Sequence, residues 1–270
     1  MAGAGAERYF GSVDFLHYVA LGDSTSLDLY PALDAGETDV AVALERVPSA
    51  GRVAPLGAAS LFHRNDETYW PEEMGNDLAT RFPGITYRNL AADGATIGDV
   101  FGEQLAQLAP SDEPTVLTLT IGAADLLSAF VNRPKASLLE RIAHDVAEAL
   151  EFLVQSIRGA RPSSLLIVST IYDPSDRTGR IPGVFDDSGP RRLRALDLVN
   201  ADIRTLAGGT PGLLLAEIYG HFLGHGVAAA EEERWYWRRS LLEPNARGAS
   251  EIRRVWIDAL TSAEILEERR

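Results

Sequence analysis

The first apolar run of the chain, residues 15–21, stops at Gly22, Asp23 and Ser24. A serine placed there has two chemistries open to it. Its hydroxyl, or the Asp23 carboxylate beside it, can cap the helix that follows. Alternatively its oxygen can attack a carbonyl. Backbone N–H groups at a helix N-terminus would then face the oxyanion that develops, and a second group must take the hydroxyl proton. Gly22 suits the tight turn that either arrangement needs. Similar groups follow other apolar runs: Asp93 and Gly94 after 86–91, Gly122 and Asp125 after 115–121, Tyr172 and Asp173 after 164–171.

These groups can meet only if the elements carrying them run side by side. Residues 15–21, 86–91, 115–121, 164–171 and 213–218 are short, rich in Val, Ile, Leu and Thr, and bounded by Gly, Pro or Asp. They read as five strands, several of them continuously apolar as in strands buried on both faces. Residues 136–159 place Leu139, Ile142, Val146, Leu150, Leu153 and Ile157 at steps of three and four, with Glu140, His144, Glu148 and Glu151 opposite. That is a helix with one buried stripe. Segments 98–108, 190–207 and 249–267 read as further helices. The alternation predicts an α/β fold: a parallel five-stranded sheet, flavodoxin-like, between helices in a three-layer α/β/α sandwich. Ligands of such sheets bind beyond the carboxyl ends of the strands, and Ser24, Gly94 and Asp125 all fall on that rim.

No linker or charge block divides the chain, so 1–270 reads as one domain with an N-terminal extension (1–13) and an insertion at about 31–69. The insertion fits neither period, and connections of that length are usually functional or disordered. It carries His63, a candidate base if the loop folds over the rim.

The other histidines suggest less. His17 reads as packed in or at the edge of the first strand, and His144 as a solvated partner of Glu140 or Glu148. His221 and His225 have the spacing of a metal pair on a helix, but Gly220, Gly224 and Gly226 weaken that helix and no acidic third ligand is obvious. No metal and no cofactor is expected. Residues 206–212 are glycine-rich but lack the strand–glycine–helix order of a phosphate loop. Residues 231–240, with carboxylates, arginines, Trp235 and Trp237, read as an amphipathic helix end; as a pocket wall, the tryptophans would suit a sugar or an acyl group.

Composition narrows the partners. A net charge of −14 argues against nucleic acid and against adsorption to an anionic membrane. With no cysteine, disulfides, thiolate catalysis and cysteine-type zinc sites are excluded. The N-terminus lacks the cationic start and apolar run of a secretion signal, and no stretch approaches a membrane span, so a cytoplasmic location is the expectation.

Four stretches, taken in order, resemble the sequence blocks of the SGNH, or GDSL-type, esterases and lipases: ALGDSTS at 20–26, YRNLAADGATIGDV at 87–100, LTIGAADL at 119–126 and LLEPNARGASEIRR at 241–254. The resemblance implies the SGNH hydrolase fold, Ser24 as nucleophile and the Gly94 N–H as an oxyanion donor. It implies a small-molecule ester or acylated carbohydrate as substrate. Two departures bear on the chemistry. The third-block asparagine, normally another oxyanion donor, is Ala124, with Asp125 retained beside it; loss of one such donor typically costs about 3–4 kcal/mol of transition-state stabilisation. The last-block histidine falls on Glu243 and its partner aspartate on Ser240, although Pro244, Asn245 and Gly248 match. An ordinary glutamate titrates near ~4.3 and is a poor base for a hydroxyl unless burial or a neighbouring carboxylate such as Asp23 raises it. The reading is a serine-type ester hydrolase with Glu243 in place of histidine. The rival is a pseudoenzyme that binds an acylated or carbohydrate ligand without turnover.

Overall fold

The five strands form one parallel sheet: β1 (His17–Gly22), β2 (Thr86–Asn89), β3 (Thr115–Thr120), β4 (Ser164–Ser169) and β5 (Leu213–Ala216), in the spatial order β2-β1-β3-β4-β5. The computed structural model describes residues 14–37, 55–131, 136–187 and 189–268. The extension 1–13 and positions 38–54 of the insertion lie outside the described residues. The helices used below are α1 (Leu29–Asp34), α2 (Ala58–His63), α3 (Ala123–Val131), α4 (Ala136–Ala160), α5 (Pro190–Gly209), α6 (Ile218–Phe222) and α7 (Ala246–Glu268).

Strand alternation sorts the core into two layers. Val19 and Leu21 of β1 join Leu117, Leu119, Leu166 and Val168 under α4 and α5. Tyr18 and Ala20 face the other way, with Val116, Leu165 and Ile167, under α2 and α7. β3 and β4 are buried at every residue, which is why their sequence is continuously apolar or Thr/Ser rather than alternating. The stripe read on α4 packs as expected, with Ile142 only partly buried. This is the three-layer α/β/α sandwich that the alternation implied.

One local expectation needs correction and another needs refinement. Residues 231–240 are not a helix end. After a 3-10 turn at Glu231–Glu233 the chain forms an antiparallel hairpin of β6 (Tyr236–Trp237) and β7 (Ser240–Pro244). The exposed Arg238 and Arg239 are its turn, while Tyr236 packs edge-on against Tyr172 and Phe222; aromatic residues suit such a half-buried pleated surface. Residues 97–107 are helical, but a π-turn at Val100–Gln104 interrupts them. Among the described residues no helix is long and apolar enough to cross a membrane, and no group of three or more His, Cys, Asp or Glu is arranged to hold a metal ion.

Candidate active site

β1 ends in a turn that admits only glycine. Gly22 has φ +124°, and a Cβ there would stand 1.9 Å from the Thr120 carbonyl oxygen. The Gln104 side chain, turned inward by the π-turn, holds both polar groups of Gly22: the Gly22 N–H donates to Oε1 and Nε2 donates to the Gly22 carbonyl, each at 2.8 Å. The Asp23 N–H donates to Thr120 O at 2.8 Å. Of the two capping candidates it is Asp23 that caps, its Oδ1 accepting from the Thr25 N–H at 3.1 Å. Ser24 is thereby left as the first residue of a 3-10 turn, Ser24–Ser26, with an N–H that has no partner inside the turn. The turn is tied to its neighbours by Ser26 Oγ with Thr120 Oγ1 at 2.8 Å and by Asn89 Nδ2 donating to Ser26 O at 2.9 Å.

The loop after β2 brings Gly94 to the same place. Gly94 has φ +66° and open space beside its Cα. Asp125 on α3 fastens the far end of this loop, accepting from the Ile97 N–H at 3.1 Å. Burial raises the Asp125 carboxyl above the usual carboxylate range, and the Ile97 N–H partly offsets that. Asp125 therefore positions the loop that carries Gly94. Asp93, the residue before Gly94, is exposed and accepts from the Tyr30 hydroxyl at 3.0 Å.

Glu243 enters from the β6–β7 hairpin. Tyr172, just beyond β4, donates to the Leu242 carbonyl at 2.8 Å and so fixes the residue beside it. Asn245 closes the loop: its Nδ2 donates to Arg234 O at 2.8 Å and its Oδ1 accepts from the Gly248 N–H at 2.8 Å. Gly248 is required because a Cβ would lie 2.1 Å from Trp235 O. Burial pushes Glu243 up to about 7; the Ser24 side chain, as a hydrogen-bond partner, favours its ionised form, while Asp23 and Asp93 disfavour it. Its Oε2 is buried and has no hydrogen-bond partner among the described residues. Asp23 is likewise raised by burial, to about 6.

Asp23, Ser24, Gly94 and Glu243 line one cleft, whose empty space counted out to solvent is about 860 Å³. Away from Ser24 its wall is largely apolar, with Leu126, Phe130, Ile171, Ile181, Phe185 and Leu196, and it also includes Asp173, Ser175 and Arg192. Ala124 lies on that wall where the family motif has asparagine. The structure thus brings together Ser24, Gly94, Glu243 and Asp23, with Asp125 behind the loop.

It does not bring His63 to them. That ring stacks on Tyr87 at 4.8 Å and is absent from the cleft lining; burial lowers its pKa. The helix α2 that carries it packs its apolar side into the layer under α7 instead of over the rim. His17 bonds to Thr86 and Glu113 at the sheet edge, and His144 pairs with Glu148 at 3.4 Å. His221 bonds to Glu251 at 2.9 Å, and His225 stacks on Trp235 at 3.6 Å. Sequence reading missed Tyr30 and Gln104. No motif marks either one, and Gln104 reaches Gly22 only because of the π-turn.

Comparisons with known proteins bear on this geometry. Residues 18–205, more than half of the chain, match the family model of GDSL-like lipases and acylhydrolases. The chain belongs to this family. Membership supports hydrolysis of ester bonds. The matched segment contains Ser24, Gly94 and Asp125 and ends before Glu243, so the place of Glu243 rests on the geometry above. No curated protein sequence matches the chain. Among solved structures it resembles an extracellular lipase from Streptomyces rimosus (20% identity, TM-score 0.59, covering 92% of this chain and 99% of that one). It also resembles a phospholipase A1 from Streptomyces albidoflavus (21%, TM-score 0.56, 92% and 98%). A third is a variant of an acetyl-xylooligosaccharide esterase from Geobacillus stearothermophilus (16%, TM-score 0.53, 90% and 93%). At such identities the likeness is one of fold.

Proposed function

We propose that this GDSL-family chain hydrolyses carboxylic esters through Ser24, with Glu243 as the base in place of histidine. The observation that carries the proposal is the meeting of Ser24, Gly94 and Glu243, whose raised carboxyl faces Ser24 and keeps Oε2 free of other partners among the described residues, at the polar end of one largely apolar cleft. Ser24 Oγ forms a bond to the ester carbonyl carbon as its proton passes to Glu243. The carbonyl electron pair moves onto oxygen, where the N–H groups of Ser24 and Gly94 receive it. Collapse of this intermediate breaks the bond to the alcohol, which leaves with the proton held by Glu243. Water then attacks the acyl-Ser24, giving a proton to Glu243; collapse breaks the acyl–Oγ bond, Ser24 Oγ takes that proton back from Glu243, and the carboxylic acid departs. A glutamate near 7 is matched to both duties at neutral pH, acceptor when ionised and donor when protonated. The apolar wall suits the acyl chain, and no metal or cofactor is needed for any step.

A fluorophosphonate probe and a short-chain ester assay test the proposal together. Labelling and turnover that both vanish in Ser24→Ala support it. A folded wild-type chain that resists labelling at every pH between 5 and 9 ends it and leaves a ligand-binding protein in its place.

A further inference from the structure

The apolar cleft accounts for one half of an ester. Its walls come from α3, the segment after β4, and α5, all on the β3–β4 side of Ser24. The other half has to leave on the side of β2 and α1. Three side chains meet there that the reaction above does not use. Tyr30 on α1 donates to Asp93 Oδ1 at 3.0 Å. Its ring lies 5.4 Å from that of Trp237, tilted by 43°. Tyr30 and Trp237 are half-buried and Asp93 is exposed, so all three present surface. None of the three lines the cleft itself, but Asp93 directly precedes Gly94 and Trp237 stands on the strand paired with the one that carries Glu243, so the cluster adjoins the reacting end of the cleft.

We propose that Tyr30, Asp93 and Trp237 form the subsite for the alcohol half of the ester, and that this alcohol is polyhydroxylated, a sugar or glycerol. The inference rests on the hydrolase reading above and names its substrate class. A carboxylate only accepts hydrogen bonds, and Asp93 has used one oxygen on Tyr30, so it calls for a ligand that brings donors. A plain alkyl alcohol would strip water from Asp93 and Tyr30 and return nothing. A polyol returns hydroxyl donors to the carboxylate and lays its C–H face on the Trp237 ring, which combines an apolar surface with a few placed polar groups as ligand sites generally do. A cationic alcohol is less well matched, because the turn that carries Trp237 also carries the exposed Arg238 and Arg239.

The test compares four octanoate esters that share one acyl chain: 6-O-octanoylglucose, 1-octanoylglycerol, octanoylcholine and ethyl octanoate. Wild-type kcat/KM should favour at least one polyol ester over the ethyl ester by about tenfold or more, the scale on which a site built for hydroxyls rejects an analogue lacking them. Trp237→Leu and Asp93→Asn should each cut that ratio at least about fivefold, mainly through KM. Whichever of the glucose and glycerol esters is preferred identifies the polyol. A wild-type ratio near one, a ratio unchanged in both variants, or a preference for octanoylcholine overturns the proposal. Calorimetry on Ser24→Ala keeps this separate from catalysis. Tighter binding of the polyol ester than of the ethyl ester, weakened by Trp237→Leu, supports the subsite even if the wild type neither labels nor turns over; equal binding of the two esters sinks the subsite while leaving the hydrolase reading intact.

Discussion

The residue that decides how this chain works is Glu243. A carboxylate takes a serine proton only while ionised, and burial has moved its titration to about 7. Activity should therefore be low at pH 5, where Glu243 is protonated, climb roughly tenfold per pH unit below 7, and level off above it. Asp23, at about 6 and close enough to be felt by Glu243, broadens the acid limb because the two carboxyls titrate as a pair. A profile of log kcat/KM against pH checks this; a curve flat from 5 to 9 would remove Glu243 as the base. Glu243→Gln keeps the shape and cannot accept the proton, so it should lower kcat/KM at least about tenfold and erase the acid limb. The second weak point is Ala124. If the scaffold lacks only its usual donor and base, Ala124→Asn combined with Glu243→His should raise kcat/KM above wild type, by up to about a hundredfold for the restored oxyanion donor. Equal or lower activity in that double variant would mean that the surroundings are now built for a carboxylate.

At the scale of elements, the nucleophile turn depends on a helix that never touches substrate. Gln104 satisfies both the N–H and the carbonyl of Gly22. Gln104→Leu would leave the buried Gly22 N–H without its partner, at a cost of about 1–3 kcal/mol, and would remove one of two donors to the Gly22 carbonyl, which keeps the Ala92 N–H at 3.0 Å. Urea denaturation should show the loss, and kcat should fall with it as Ser24 loses its fixed position. Gln104 also marks the limit of what the sequence makes legible. The strand run, the glycines at Gly22 and Gly94 and the blocks around Ser24 and Asp125 are local patterns, fixed by side-chain period and turn chemistry, and they lead to the right elements. The π-turn that aims Gln104 has no such period. The hairpin at 236–244 was hidden for a related reason: its charges lie at the turn of two short strands, and strands of two to five residues are too short to show an alternation. The position of Glu243 was legible through its neighbours Pro244, Asn245 and Gly248. Its raised pKa was legible only as a condition, because it depends first on burial contributed by distant parts of the chain and then on the nearness of Asp23 and Asp93.

Across the whole molecule, the order β2-β1-β3-β4-β5 sets which way an ester can lie. Ser24 follows β1, so it has β2 on one side and β3 on the other, and the two sides differ. Toward β3 and β4 the cleft is walled mainly by Leu126, Phe130, Ile171, Ile181 and Phe185; of the charged residues in that lining, Asp173 accepts from Ser175 and the Arg177 N–H, and Arg192 lies over the Phe185 ring and donates to Gly179 O and Asp187. An acyl chain entering there buries more surface with every methylene, each worth up to ~0.8 kcal/mol when fully withdrawn from water. Going from acetyl to octanoyl on one leaving group should accordingly raise kcat/KM by at least about tenfold, allowing for partial burial of the six added carbons. Leu127 also lines the wall and is half-buried, so Leu127→Trp should narrow the passage and reduce the octanoyl-to-acetyl ratio more than it reduces acetyl turnover. A series of p-nitrophenyl esters from acetate to decanoate reads both effects. If acetate is the best substrate of wild type, the acyl group does not occupy this cleft, and the two halves of the ester lie in the reverse order across Ser24.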